Sequence, residues 1–314
     1  MTSPGTARKL LGLNAGSPGG NSEIVLVAAL RAAAEAGAEV ELVRLADVSI
    51  PSEDGAAASD DLWWFWDRLV ECDGLIVSTP IMSRTMAARL KLLVDRLLGP
   101  NADAAIIERL VALRQAGQQP VVPFRVDERV LRPRVAGFLA VGGALTSQWT
   151  TLALPLLHST TFSMHTTVVD QVVFGGAGTQ RSIVLDDAAI ARAQQLGRNV
   201  ASQLGRTAEQ ATYLGEPGLC PMCHLDVIVL KGTAVECATC GARGELRGAG
   251  VTWTDTSSSV ISMAENPRCL PCVIPRPSGQ QLARSRPVER GGPKDVIDQE
   301  GDAIPVGRQP FELS

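Results

Sequence analysis

The chain has 314 residues, enough for one large domain or two smaller ones, and 45% apolar with 20% charged residues is a globular composition. A net charge of −4 gives no electrostatic reason to expect nucleic acid or an anionic membrane as partner. No stretch approaches the about 20 apolar residues of a bilayer span, and no basic segment precedes an apolar run, so the expected location is the cytoplasm.

In chain order, Leu10 to Ser22 reads as the end of a buried strand, a loop of small residues and the start of a helix. Gly16, Gly19 and Gly20 let the backbone turn sharply and approach a ligand. Ser17, Asn21 and Ser22 add neutral donors beside the positive end of a helix dipole. No lysine lies between Lys9 and Lys91 and no arginine between Arg8 and Arg31, so a phosphate here is expected to be held by amides and hydroxyls, not by a cation. The stretch is neither a Walker loop nor a Gly-x-Gly-x-x-Gly fingerprint, and taken alone it suits an ordinary strand-to-helix turn equally well.

Residues 22 to 36 read as a helix with Glu23, Arg31 and Glu35 toward solvent and Gly37 as its stop, followed by a strand over Val40 to Val43. Strand, helix, strand suggests a βαβ unit and a parallel sheet. Residues 45 to 60 are a loop whose Asp60-Asp61 is placed to cap a helix carrying Trp63, Trp64 and Trp66, read as packing residues under the sheet or at a subunit contact. Gly74 to Ser78 is a buried strand that runs into Thr79-Pro80-Ile81-Met82-Ser83. Leu90, Leu93, Val94 and Leu97 then mark an amphipathic helix ending at Gly99-Pro100. Residues 101 to 134 are an insertion suited to a lid or a dimer contact, with a helical piece from Ala104 to Gln115. Val135 to Val141 is the fourth strand, with Gly142-Gly143 at its carboxyl end. Residues 147 to 158 are helical, Thr166 to Val169 is a fifth strand, Gly175 to Gly178 a loop, and Asp186-Asp187 caps a last helix near 188 to 204.

Six of the seven cysteines fall in Cys-x-x-Cys pairs in the last third. Cys220-Pro-Met-Cys223 and Cys237-Ala-Thr-Cys240 are thirteen residues apart, with a strand and turn between them. That is the pattern of a ribbon over 220 to 250, after a linker at 206 to 219, and four thiolates suit a closed tetrahedral Zn²⁺. A module this small lacks the core to fold without metal. Rubredoxin-like iron, haem attachment through Cys220-Pro-Met-Cys223-His224 and a redox dithiol are the alternatives; the second matched pair disfavours the last two. Residues 251 to 314 read as an irregular tail, and Cys269 and Cys272 within it receive no role. His158, His165 and His224 form no cluster, and the first two are read as core positions. Arg84 and Arg96 are read as surface or ion-pair residues before phosphate ligands.

Three loops, 16 to 22, 79 to 83 and 142 to 144, fall at the carboxyl ends of parallel strands, where open α/β sheets bind ligands. The first suits a phosphate, the second a flat polar ring, and the third is bare enough for a ring to approach its backbone. In order and spacing, Gly-Ser17-Pro-x-x-Asn21-Ser22, Cys72-Asp-Gly-Leu-Ile-Val-x-Thr79-Pro80-Ile-Met82, Leu90-Lys91 with Asp95-Arg96, and Val141-Gly142-Gly143 resemble the flavodoxin-like NAD(P)H-dependent FMN reductase family over about residues 8 to 205. The four cysteines resemble its subgroup with a C-terminal zinc ribbon, through about Glu265. The resemblance implies a doubly wound five-stranded parallel sheet of order 2-1-3-4-5. It also implies FMN, with Ser17, Asn21 and Ser22 on the phosphate, Thr79, Pro80, Ile81, Met82 and Ser83 at one edge of the ring system and Gly142-Gly143 at the other. Met82 stands where the family often has an aromatic residue. The implied activity is hydride transfer from NADH or NADPH to bound flavin and then to a flavin, quinone, nitro-aromatic or protein acceptor, in a homodimer or homotetramer. A flavodoxin-type electron carrier and a nucleotide-binding interaction protein are the competing readings.

Overall fold

A computed structural model describes residues 7–52, 59–97, 103–122, 124–161, 164 and 166–256. His165, Cys269, Cys272 and the tail from 257 lie outside them.

Five strands form a parallel sheet: β1 (Lys9–Asn14), β2 (Glu39–Arg44), β3 (Gly74–Pro80), β4 (Arg134–Val141) and β5 (Thr166–Phe174). Their order is β2-β1-β3-β4-β5, as the resemblance implies. Strand alternation sends Leu10, Ile76, Val135 and Leu139 to one face and Leu11, Leu13, Leu75, Val77 and Phe138 to the other. α1 (Asn21–Glu35) and α7 (Asp187–Gln203) cover the first face. α2 (Leu62–Glu71) and α3 (Ala88–Leu97) cover the second. Both faces of β3 and β4 are therefore apolar, and these strands read as continuous hydrophobic runs.

Of the three clustered tryptophans, only Trp66 is buried, and its indole N–H donates to Asp127 at 2.8 Å. Trp63 and Trp64 are exposed, with Arg125 and Arg68 over their rings at 5.0 and 3.8 Å. Arg96 pairs with Asp60 at 2.8 Å, as read from sequence. The insertion folds back onto its own domain: α4 (Ala104–Gln115), capped by the Asp103 carboxylate, buries Ile106, Ile107 and Leu110. At its end Arg134 is buried, and its guanidinium donates to the carbonyls of Val70, Arg129, Val130 and Arg132. Two further short helices follow β4, α5 (Ser147–Thr150) and α6 (Ala153–His158). Glu23 departs from expectation. It is buried, because Arg44 clamps both its carboxylate oxygens at 2.9 Å and Asn14 donates to it at 2.9 Å.

Arg129 and the Trp66 indole hold the Asp127 carboxyl down, from 3.8 to about 2, the Arg129 hydrogen bond being the larger cause. A depressed carboxyl stabilises the fold fully above its unfolded value, and the contribution is lost as pH falls from about 4 toward 2. Asp127→Asn is expected to cost about 2 kcal/mol in urea unfolding at pH 7, because a buried charged acceptor is lost. The deficit should shrink at pH 3. An equal deficit at both pH values would assign Asp127 a purely steric role.

The C-terminal cysteines sit on a four-stranded antiparallel sheet, β6 (Ile228–Lys231), β7 (Ala234–Cys237), β8 (Arg243–Arg247) and β9 (Gly250–Asp255). β9 carries the module past the expected limit at 250, because Trp253 packs on the cysteine cluster and its indole donates to the Leu219 carbonyl at 2.9 Å. The expected linker is also tied down. Leu214 N–H donates to the Val169 carbonyl at 2.7 Å, extending hydrogen bonding beyond β5, and Thr212 N–H donates to Gln203 at 3.0 Å.

Candidate active site

At the carboxyl edge of the sheet the connecting loops are stitched to one another. Ala15 N–H donates to the Ser78 carbonyl at 2.8 Å, Ile81 N–H to Val141 at 2.7 Å, Gly142 N–H to Phe174 at 2.8 Å and Ala177 N–H to Gly142 at 3.0 Å. The three loops expected to share one rim do so, and the loop after β5 joins them.

Beneath the first loop lies a buried polar network. Asn14 ends β1 and exchanges hydrogen bonds with Gly16: its amide donates to the Gly16 carbonyl at 3.2 Å and its oxygen accepts from Gly16 N–H at 3.1 Å. The same oxygen accepts from the Ser22 hydroxyl at 3.2 Å, and Ser78 donates to the Ser22 carbonyl at 2.7 Å. Ser22 is buried, so its hydroxyl shapes the loop from below. Asn21 is also engaged. Its amide donates to the carbonyls of Ala177 and Thr179 at 3.0 and 2.8 Å, and its oxygen accepts from Ile183 N–H at 3.2 Å. Ser17 is exposed on the loop.

The exposed face of this loop fits a phosphate group. A Cβ at Gly16 would stand 2.1 Å from the Ser22 hydroxyl and 3.3 Å from Pro80, so the cradle admits only backbone. Gly20 at the N-cap of α1 brings no side-chain cap to the first-turn N–H groups. The loop holds no cation of its own, but one reaches it from elsewhere: the Arg181 guanidinium lies 3.2 Å from the point where a Gly19 Cβ would be. The sequence places no cation within the loop itself, and Arg181 comes to its edge from a segment far along the chain.

On the ring side, Thr79 is buried. Its hydroxyl accepts from Ala87 N–H at 3.0 Å and donates to the Pro80 carbonyl at 3.1 Å, closing the 79–87 loop. Met82 and Thr85 exchange backbone hydrogen bonds of 2.8 and 2.9 Å around Ser83 and Arg84, both left-handed at φ 46° and 75°. Two-residue hairpin loops need such angles, and non-glycine residues adopt them at a cost. Arg84 donates to the Gln148 carbonyl at 2.7 Å, joining this hairpin to α5. Met82, Leu145 and Trp149 stand exposed on these joined segments. The bareness of Gly142 and Gly143 is largely used by the protein itself. A Cβ would meet Ile81 at 3.1 Å from Gly142 and the Gly178 Cα at 2.8 Å from Gly143.

In the ribbon the four sulfurs of Cys220, Cys223, Cys237 and Cys240 are buried within 4.8 Å of one another. The separations of 3.6 Å (Cys220–Cys240) and 3.5 Å (Cys223–Cys237) approach the about 3.8 Å that tetrahedral Zn–S bonds of about 2.3 Å require. The donor set fits a metal with no further ligand. The ribbon is tied to the large sheet through Gln171, which donates to the Cys223 carbonyl at 2.8 Å and bonds the His158 ring at 2.9 Å. Burial pushes His158 down to about 4, so it is a neutral core residue, as read from sequence. His224 stacks on Tyr213 at 3.7 Å.

The sequence pattern of a family described as NADPH-dependent FMN reductase matches residues 8–179, which span the first three rim loops. Flavone synthase cfoJ of Aspergillus candidus is 40% identical over 258 residues, covering 76% of this chain and 78% of that protein. An iron-sulfur flavoprotein of Methanocaldococcus jannaschii is 26% identical over 211 residues, covering 62% of this chain and 95% of that protein. The solved structure of a flavone reductase superposes with a TM-score of 0.68 at 28% identity, over 83% of this chain and 88% of its own.

Proposed function

The chain belongs to the NADPH-dependent FMN reductase family, and from that premise we propose that it reduces a flat, conjugated oxygen heterocycle of the flavone type at the expense of NADH or NADPH. A solved relative named flavone reductase supports this choice of acceptor over a quinone or nitro-aromatic, and a relative named flavone synthase shares the flavone as the compound it is named for making. When bound at the rim, FMN supplies a hydride acceptor and donor at ring N5. The residues then have distinct tasks. The uncapped N–H groups of the first turn of α1 and Ser17 would hold the phosphate, on a base fixed by Asn14 and Ser22. The 79–83 backbone, locked by Thr79, sets one ring edge, and the exposed edge of Gly143 flanks the other. Met82, Leu145 and Trp149 offer apolar cover for a planar substrate. Reduction of the conjugated C=C consumes one hydride from the nicotinamide and one proton from water.

The single observation carrying the reading is the rim of stitched loops within the family match. Its test is anaerobic mixing of flavin-loaded protein with NADH or NADPH, then with a flavone. Bleaching near ~450 nm, followed by re-oxidation with a product two hydrogens heavier, is expected. Bleaching without such a product would remove the flavone acceptor, and no bleaching with either donor would remove the reductase reading. In the same reading the ribbon holds zinc, and the protein works as a homodimer or homotetramer. Metal analysis and light scattering read these two points, and iron in place of zinc would make the ribbon an electron-transfer module. No helix among the described residues is long and apolar enough to cross a membrane.

A further inference from the structure

Arg181 lies in the turn between β5 and α7, 162 positions from the glycine it covers. Its guanidinium Nη2 is 3.2 Å from the site of a Gly19 Cβ, with Cζ and Nε both at 3.8 Å, so the fork lies over the open side of the first loop. Its backbone is left-handed at φ 62°, a conformation that a bulky residue holds only when its surroundings impose it. The surroundings here are the three hydrogen bonds of Asn21, which grip Ala177, Thr179 and Ile183 on both sides of Arg181. Ser182 adds a hydroxyl bond to the Thr179 carbonyl at 2.8 Å. Arg181 is exposed, and among the described residues no ion pair or side-chain hydrogen bond engages its guanidinium, unlike those of Arg44, Arg96, Arg129 and Arg192. A five-donor cation is thus carried, unspent, to the edge of a loop built from backbone donors.

We propose that Arg181 is the charge partner of the FMN phosphate, delivered across the rim and held in place by Asn21. The assignment rests on the FMN reading above. It gives Asn21 an indirect part in flavin binding: it positions the cation instead of touching the ligand. It also gives the site a preference for FMN over riboflavin, because a guanidinium fork pairs with two phosphate oxygens and has nothing to pair with when the phosphate is absent.

The test is fluorescence titration of the flavin-free protein with FMN and with riboflavin, for wild type, Arg181→Gln, Arg181→Lys and Asn21→Ala. Arg181→Gln is expected to weaken FMN about tenfold or more while leaving riboflavin unchanged. Arg181→Lys should recover part of the loss. Asn21→Ala should reproduce the FMN-selective loss, with circular dichroism and melting temperature confirming an intact fold. Unchanged FMN affinity in Arg181→Gln, or equal weakening of both flavins, would overturn the assignment. A wild type that binds neither flavin would overturn the FMN reading itself.

Discussion

Gly197→Ala is expected to destabilise the protein by about 3 kcal/mol, although alanine is worth about 1 kcal/mol more than glycine in an isolated helix. The added Cβ would stand 1.9 Å from the Ala29 carbonyl oxygen, 2.6 Å from its carbonyl carbon and 2.9 Å from its Cα. All three are backbone atoms of α1, so no side chain can rotate away to make room. The two helices would have to separate, loosening the contacts of Val25, Ala29, Ala33, Ala193 and Val200 that fill one face of the sheet. α1 also begins at the phosphate loop, so its displacement should weaken flavin binding as well. Denaturant unfolding of the variant reads the first effect and flavin titration the second. A variant as stable as wild type would mean that the helices do not pack this closely.

Removing a metal from the four-cysteine cluster is expected to have a larger effect in a different place. The buried side chains around the four cysteines are few, Leu225 and Ala242, with Met222, Trp253 and Leu154 partly covering them. Such a core cannot offset the chain entropy of about 35 residues, whereas structural zinc supplies an apparent 10–16 kcal/mol at neutral pH, roughly. Cys237→Ser, or a strong chelator, is expected to abolish hydrogen-exchange protection across β6 to β9. Protection in β1, β3 and β4 should persist, because their core is separate. β5 should show an intermediate response, since Gln171 loses an ordered Cys223 carbonyl and Val169 an ordered Leu214 N–H. Full protection of the ribbon in protein shown to be free of metal would refute a metal-dependent fold.

What the sequence alone determined was local. Apolar runs such as Gly74 to Ser78 and the 3.6-residue rhythm of Leu90, Leu93 and Leu97 announce elements by periodicity, which a single segment carries in full. Cys-x-x-Cys pairs announce a metal knuckle because both ligands lie within one turn. The loop ends meet on one rim because parallel strands with right-handed crossovers leave no other arrangement. Asn14 carries a weak signal in the sequence, a polar residue closing an apolar strand just before a glycine turn.

The tertiary structure alone decided which side chains remain available at that rim. Asn21 is spent on the 177–183 segment, Ser22 on Asn14, and Thr79 on Ala87. Glu23, solvent-facing by its place on the helix, is claimed by Arg44 from the neighbouring strand. Gly142 and Gly143 are bare because Ile81 and Gly178 press against them. Arg181 arrives beside Gly19 only after the four strands between them have been ordered. Each of these depends on a hydrogen bond or a steric contact between segments distant in the chain. Hydrophobic periodicity records which face of an element is buried, but not which neighbour a polar group on that element will meet.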